Sequence, residues 1–207
     1  VGALSLASCE SWLDEDPQYT INTKTQFSTV ENAKQALMGC YGYMSADNAY
    51  GQAWQEVTFG YCGFGWSQTN GSSTDLLVSM DGGIDETINT MAWRGMYKVI
   101  GETNAFIANI ADSPLESADK LPMEAAARFL RALAYYNLAV TYGDVPLKTT
   151  PSAHDGVAVP RSPKNEVFEL VRTDWEFAYE NLPEKDDDGF ATKKIVSDRL
   201  TNDEYIY

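Results

Sequence analysis

The chain has 207 residues, 44% hydrophobic and 22% charged, which is enough for one core of moderate size and for one domain or one large fragment. Fifteen basic against thirty acidic residues give a formal net charge of -15, which leaves no basic stripe for nucleic acid and repels an anionic lipid surface. No internal stretch reaches the roughly 20 apolar residues that a membrane-spanning helix requires.

The first residues, Val1 to Ser8, are apolar and stop at Cys9 within the run LASCESWLDEDP. Small residues, Ala7 and Ser8, stand just before the thiol, so residues 1–8 read as the tail of a signal peptide cut there. A short buried helix or strand is the competing reading. The acidic residues that follow (Glu10, Asp14, Glu15, Asp16) and Pro17 show no periodicity, so residues 9–27 read as a solvated tether.

Ser28-Thr29-Val30-Glu31 has the form of a capping box, and Ala33, Leu37, Cys40, Tyr41 and Met44 recur behind it at helical spacing. A helix over 29–46 is predicted. Residues 47–87 are rich in Gly, Ser, Asn and aromatics, which argues against a long helix and for an irregular aromatic-rich loop with short strands or helical turns near Leu76–Met80. Cys40 and Cys62 either pair or are two unlinked buried thiols.

A second helix is predicted over 88–111, with Trp93, Met96, Ile100, Ile107 and Ile110 on one side, and Tyr97 and Phe106 flanking it. A third starts with Pro122 in its first turn, runs through Ala126, Phe129, Leu130, Leu133, Tyr136 and Val140, and ends at a left-handed Gly143 before Pro146. After an irregular linker over 144–161, Ser162-Pro163 opens a fourth helix whose stripe is Val167, Leu170, Val171, Trp175 and Ala178; Leu182-Pro183 closes it. Residues 184–207 read as an acidic and polar tail. Four amphipathic helices and no strand pattern predict a mainly α protein of stacked helical hairpins, tetratricopeptide-like, although no 34-residue repeat stands out.

Catalytic motifs are missing: there is no G-x-S-x-G, H-E-x-x-H or P-loop, and the single histidine, His154, lies in the Pro-rich linker. Glu184, Asp186, Asp188 and Gly189 imitate the start of a calcium loop, but Ile195 stands where its bidentate carboxylate belongs. No catalytic residue, metal site or cofactor is therefore assigned. The loop over 61–75 holds flat aromatics and polar groups together: Tyr61, Phe64, Trp66, Gln68, Asn70 and Asp75. Rings cover the apolar faces of sugars, and amides and carboxylates satisfy their hydroxyls. The same aromatics would equally serve to pack the loop onto the helices.

Two resemblances sharpen this. Leu6-Ala7-Ser8-Cys9 resembles the lipobox of a bacterial lipoprotein, which implies acyl chains on Cys9, and the acidic run after it resembles the export signal of lipoproteins on the outer face of Bacteroidota cells. The segment AAARFLRALAYYNLAVTYGDVPL, Ala125 to Leu147, resembles a signature of the SusD/RagB family of outer-membrane lipoproteins. Phe129, Leu130, Arg131, Ala132, Tyr135, Tyr136, Leu138, Tyr142, Gly143, Asp144, Pro146 and Leu147 fit that signature. MAWRGMYKVIGETNAFI resembles the family's second helix through Trp93, Tyr97, Ile100 and Asn104, and EVFELVRTDWEFAYENLP its fourth.

The resemblance implies an N-terminal helical domain over 28–183 within a family whose members are more than twice this long. It implies a cell-surface lipoprotein that captures a nutrient oligomer, a glycan or a peptide, and passes it to a SusC-type TonB-dependent transporter. Trp66 and Asn70, with Tyr61 and Asp75, are the ligand-binding candidates it points to. Arg131, Gly143 and Asp144 are read from their chemistry as fold-forming: a guanidinium reaching a carboxylate or helix end, a helix stop, and a turn acceptor. The rivals are a surface-anchored glycoside hydrolase and a scaffold that binds only proteins.

Overall fold

The computed structural model describes residues 23–60, 62, 79–80, 87–151, 158–185 and 188–200. Helix follows helix through them: α1 (Thr23–Gln26), α2 (Val30–Ser45), a π-type turn (Asp47–Gly51), α3 (Ala53–Gly60), α4 (Thr87–Ala111), α5 (Ser117–Tyr142), α6 (Lys164–Asn181) and α7 (Lys193–Leu200). The mainly α expectation holds. One two-residue bridge interrupts it, β1 (Val145–Pro146) pairing antiparallel with β2 (Arg161–Ser162). Pairing this short leaves no alternation in the sequence.

Helix α2 buries Ala33, Leu37, Cys40 and Met44, the stripe expected of it. Its cap is Thr29, whose hydroxyl accepts from the Asn32 N–H at 3.2 Å. Ser28, expected in that role, instead donates to the Thr25 carbonyl at 2.8 Å and closes α1. The opening of the expected loop is helical, since residues 52–59 hold no glycine and Ala53, Trp54 and Val57 face the core.

In α4, Met96, Ile100 and Ile110 are buried as expected, but Trp93 and Ile107 are half-buried and Phe106 is buried, so the inner face is rotated from the one read off the sequence. Helix α5 begins five residues before Pro122, a correction to the expected start. Proline that deep lacks one N–H bond. The Lys120 ammonium bonds the carbonyls of Ala111 and Ser113, fastening the new turn to the end of α4, where positive charge suits the helix dipole. Gly143 ends α5 with φ +71, ψ -124: positive φ as expected, yet outside the left-handed helical well and in a region open essentially to glycine.

Helix α6 takes its cap from a distance. Pro163, not Ser162, holds the cap position, and the Asp144 Oδ1 accepts from the Lys164 N–H at 2.9 Å. Residues 190–200, expected to be polar and unpatterned, bury Phe190, Ala191 and Val196 and form α7 against α6.

The contacts give the packing order. Tyr142 meets Asn89, Tyr97 meets Tyr135 and Lys120 meets Ala111, so α4 and α5 are antiparallel. Arg131 meets Asp174 and Tyr136 meets Phe168, so α5 and α6 are antiparallel too. Helix α5 is thus the middle of the stack and shielded from water through its central turns: Leu130, Ala134, Tyr135, Leu138 and Ala139 are all buried, whereas Val140, expected on that stripe, is exposed. The segment after α6 returns to α2, where the Tyr41 hydroxyl accepts from the Ala191 N–H at 2.8 Å and the Lys34 ammonium pairs with Asp188.

Between α5 and α6 lies a buried ion pair. Arg131 Nε and Nη2 each donate to Asp174 at 2.8 Å, and the Arg131 and Asp174 side chains are 6% and 0% exposed. Arg128 adds a longer contact to Asp174 at 3.3 Å while binding Glu124 at 2.7 Å. The carboxylate expected for Arg131 is therefore Asp174. On the other side of the stack the π-type turn presses directly on α4: a Cβ at Gly95 would stand 1.8 Å from the Asn48 carbonyl oxygen.

Two outcomes follow for chemical denaturation. Gly95→Ala has no room for its methyl and is expected to lower stability by about 1–3 kcal/mol, with a matching fall in the urea midpoint. Asp174→Ala leaves a buried guanidinium without its partner and is expected to cost about 3–5 kcal/mol, most of which the double variant Arg131→Met/Asp174→Leu should restore.

Candidate functional site

The residues named as ligand contacts, Tyr61, Trp66, Asn70 and Asp75, lie outside the described residues, as do Cys9 and His154. The structure does describe the two stems from which the 61–86 segment springs. Helix α3 delivers the chain at Gly60, which is buried, and α4 takes it up at Thr87 beside buried Ile88. The stems are held firmly: α3 packs on α4, Tyr50 and Trp54 meet edge to face at 6.4 Å, and the Asn137 amide donates to the Tyr50 hydroxyl at 2.7 Å. The described residues on either side of that segment are therefore firmly packed.

Cys62, just past α3, is exposed and free, and Cys40 is buried and free. The disulfide alternative is not formed, and of the two thiols only Cys40 is buried as expected. Burial, reinforced by the charge of Glu102, pushes the Cys40 thiol up to about 12, so it stays protonated and unreactive.

A second feature is described in full. The segment after α5 is latched onto α4 and α5 by side chains that the sequence marks only as part of a signature. The Asn104 amide donates to the carbonyls of Lys148 and Thr150 at 2.9 and 3.3 Å, while its oxygen accepts from Arg131 Nη1 at 2.8 Å. The Tyr135 hydroxyl donates to the Lys148 carbonyl at 2.8 Å and accepts from the Lys148 N–H at 2.6 Å. Burial pushes the Tyr135 phenol up to about 12, against the lowering effect of that backbone contact, so the donor proton is retained. The Tyr97 hydroxyl donates to the Pro146 carbonyl at 2.7 Å, and burial, then Tyr135 nearby, raises its pKa.

These latches leave a cleft of about 270 Å³ between α4 and the β1–β2 segment. Trp93, Tyr97, Ile100 and Gly101 form its α4 wall, and Pro146, Lys148, Ala158 and Val159 the other. The Trp93 and Tyr97 rings are 5.0 Å apart, Tyr142 stands edge-on to Trp93 at 5.1 Å, and the Arg161 guanidinium lies 5.6 Å from the Trp93 ring centre. A smaller cleft of about 210 Å³, lined among others by Val30, Leu37, Pro122 and Phe190, lies under the Lys34–Asp188 pair. Among the described residues no group of three or more His, Cys, Asp or Glu side chains is placed to hold a metal ion, and no helix is long and apolar enough to cross a membrane.

Comparison with known proteins places this architecture. Residues 11–196 match the SusD-like family model described as starch-binding associating with outer membrane. SusD-like protein P25 of Formosa agariphila is 24% identical over 197 residues, covering 88% of this chain and 37% of that relative. A SusD superfamily protein of Bacteroides thetaiotaomicron superposes with a TM-score of 0.74 at 22% identity, over 86% of this chain and 43% of its own. A laminarin-binding SusD-like protein gives a TM-score of 0.71 at 23% identity, over 84% of this chain and 39% of its own. At these identities the structures establish the fold, and this chain spans less than half of each of these three proteins. The family model covers nearly the whole chain, and the chain belongs to the SusD-like family.

Proposed function

We propose that the protein is a non-enzymatic lipoprotein of the outer cell surface that captures an oligosaccharide and passes it to a SusC-type TonB-dependent transporter. The observation that carries this reading is the family match over residues 11–196. A fold-level relative described as laminarin-binding supports the choice of a glycan over a peptide. The ligand contacts are Trp66 and Asn70, with Tyr61 and Asp75, on the loop that the rigid stems of α3 and α4 present. Stacking of a sugar ring on Trp66 and hydrogen bonds from Asn70 are the chemistry such a loop offers. The acyl chains on Cys9 hold the protein in the membrane, each buried CH₂ contributing about 0.8 kcal/mol. Residues 9–27 are the solvated tether between anchor and helices.

Affinity electrophoresis through laminarin and other glycan gels tests the binding step. Retardation of the parent protein is expected, with Trp66→Ala at least tenfold weaker at unchanged far-UV circular dichroism, since a lost stacking contact is worth about 1.5 kcal/mol. Equal retardation of both proteins would remove the loop from the site, and release of reducing ends would make the protein a hydrolase. Cys9→Ala should move the protein from the membrane fraction of its host to the soluble fraction while leaving its melting temperature unchanged; retention in the membrane would refute the anchor.

A further inference from the structure

The cleft beside Trp93 has a chemistry that the loop contacts do not share. It sits on a chain with net charge -15, yet among the described residues that line it there is no carboxylate, and the charged side chain there is the cation Lys148. Arg161 lies over Trp93, its charge partly offsets the rise that burial imposes on the Tyr97 pKa, and its guanidinium donates to the Asp144 carbonyl at 2.8 Å. Neither Lys148 nor Arg161 forms an ion pair among the described residues. Asp144, four residues before Lys148, accepts from the N–H of Lys164, and Glu102, next to Gly101 in the sequence, pairs with Lys98. Two cations bordering an aromatic wall in an acidic protein form a local site of opposite sign, and a cleft concentrates that field.

The floor is also open. Gly101 lies mid-helix in α4, where glycine is disfavoured, and a Cβ there would meet no atom within 4 Å. No packing constraint excludes a side chain, so the space above the helix backbone is free for a ligand to approach. At about 270 Å³ the cleft is slightly below the roughly 300–1,000 Å³ of sites for drug-sized ligands, a size for one ring unit and not for a long chain.

We infer that the cleft walled by Trp93, Tyr97 and Lys148 over Gly101 is a subsite for one sugar-acid unit, its carboxylate on the Lys148 ammonium and its apolar ring face on the aromatic wall. The carbohydrate-binding reading above supplies the ligand class; the charge and the aromatic wall come from the cleft itself. The subsite reads acidic sugars, which the contacts named on residues 61–75, where the charged group is the carboxylate of Asp75, do not select.

Saturation-transfer NMR on the full chain, with D-glucuronate as probe and D-glucose as neutral control, tests it. Ring-proton signals from glucuronate are expected at least threefold stronger than from glucose. They should vanish in Gly101→Leu, which fills the floor with a better helix former and keeps the melting temperature, and fall at least threefold in Lys148→Gln. In Trp66→Ala they should persist unchanged, so this subsite stands or falls independently of the loop. Equal signals from both sugars, a glucuronate signal that survives Gly101→Leu, one that disappears in Trp66→Ala, or displacement by equimolar benzoate would each overturn the assignment.

Discussion

The stack depends on the pairing of Arg131 with Asp174. A guanidinium and a carboxylate, both withdrawn from water, are tolerated only because each guanidinium nitrogen and each carboxylate oxygen is bonded: two bonds join them, a third runs from Arg131 to Asn104, and a longer one from Arg128 to Asp174. That geometry fixes α5 against α6 in one register, since apolar ridges alone can slide by a turn whereas a two-pronged ion pair cannot. Through Asn104 the same network reaches α4 and the carbonyls of Lys148 and Thr150. One cluster thus sets the relation of three helices and the strand-like segment that follows them, and with it the shape of the cleft beside Trp93.

The aromatic residues divide into two populations on physical grounds. Tyr135 and Trp175 are sealed in the middle of the stack, the first with its hydroxyl committed to backbone. Trp93, Tyr97 and Tyr142 form a cluster that is only half covered and is edged by Arg161. Both sets belong to helices with the same periodicity, so the distinction rests on what packs opposite them: α6 covers one side of α5, and among the described residues the short β1–β2 segment stands across from this part of α4.

The helices were legible because their apolar spacing is strong: α2, α4 and α6 begin and end within about two residues of the boundaries read from the sequence, the usual uncertainty of a helix end. What failed to show was anything depending on a distant partner. Thr29 displaces Ser28 as the cap because Ser28 is engaged by the preceding turn. Asp144 caps α6 across the bridge, which no local motif can encode. Pro122 misled because the turn before it is secured by Lys120 reaching back to α4. Arg131 was legible as a structural cation, but its acceptor, 43 residues on, was not. Of the ligand-site candidates, the stems of their loop are what the fold makes plain. The Trp93 cleft was missed because Lys148 and Gly101 carry no pattern in the sequence and come together only when the linker folds back.

Nearly every strong contact here joins a helix to the next one along the chain, and such contacts form with little loss of loop entropy. Longer-range contacts such as Asn137 to Tyr50 also occur, and the longest is the seam at which Tyr41 and Lys34 receive Ala191 and Asp188, about 150 residues later. Ordering that seam encloses everything between, so it bears the largest closure entropy, offset by the burial of Phe190 against Tyr41 and of Ala191 and by an exposed ion pair. The contact pattern therefore favours an order of assembly in which neighbouring helices zip first and the Tyr41–Ala191 seam clasps last. On warming the order reverses, and the clasp is where the first opening occurs, well before the middle of the stack feels water.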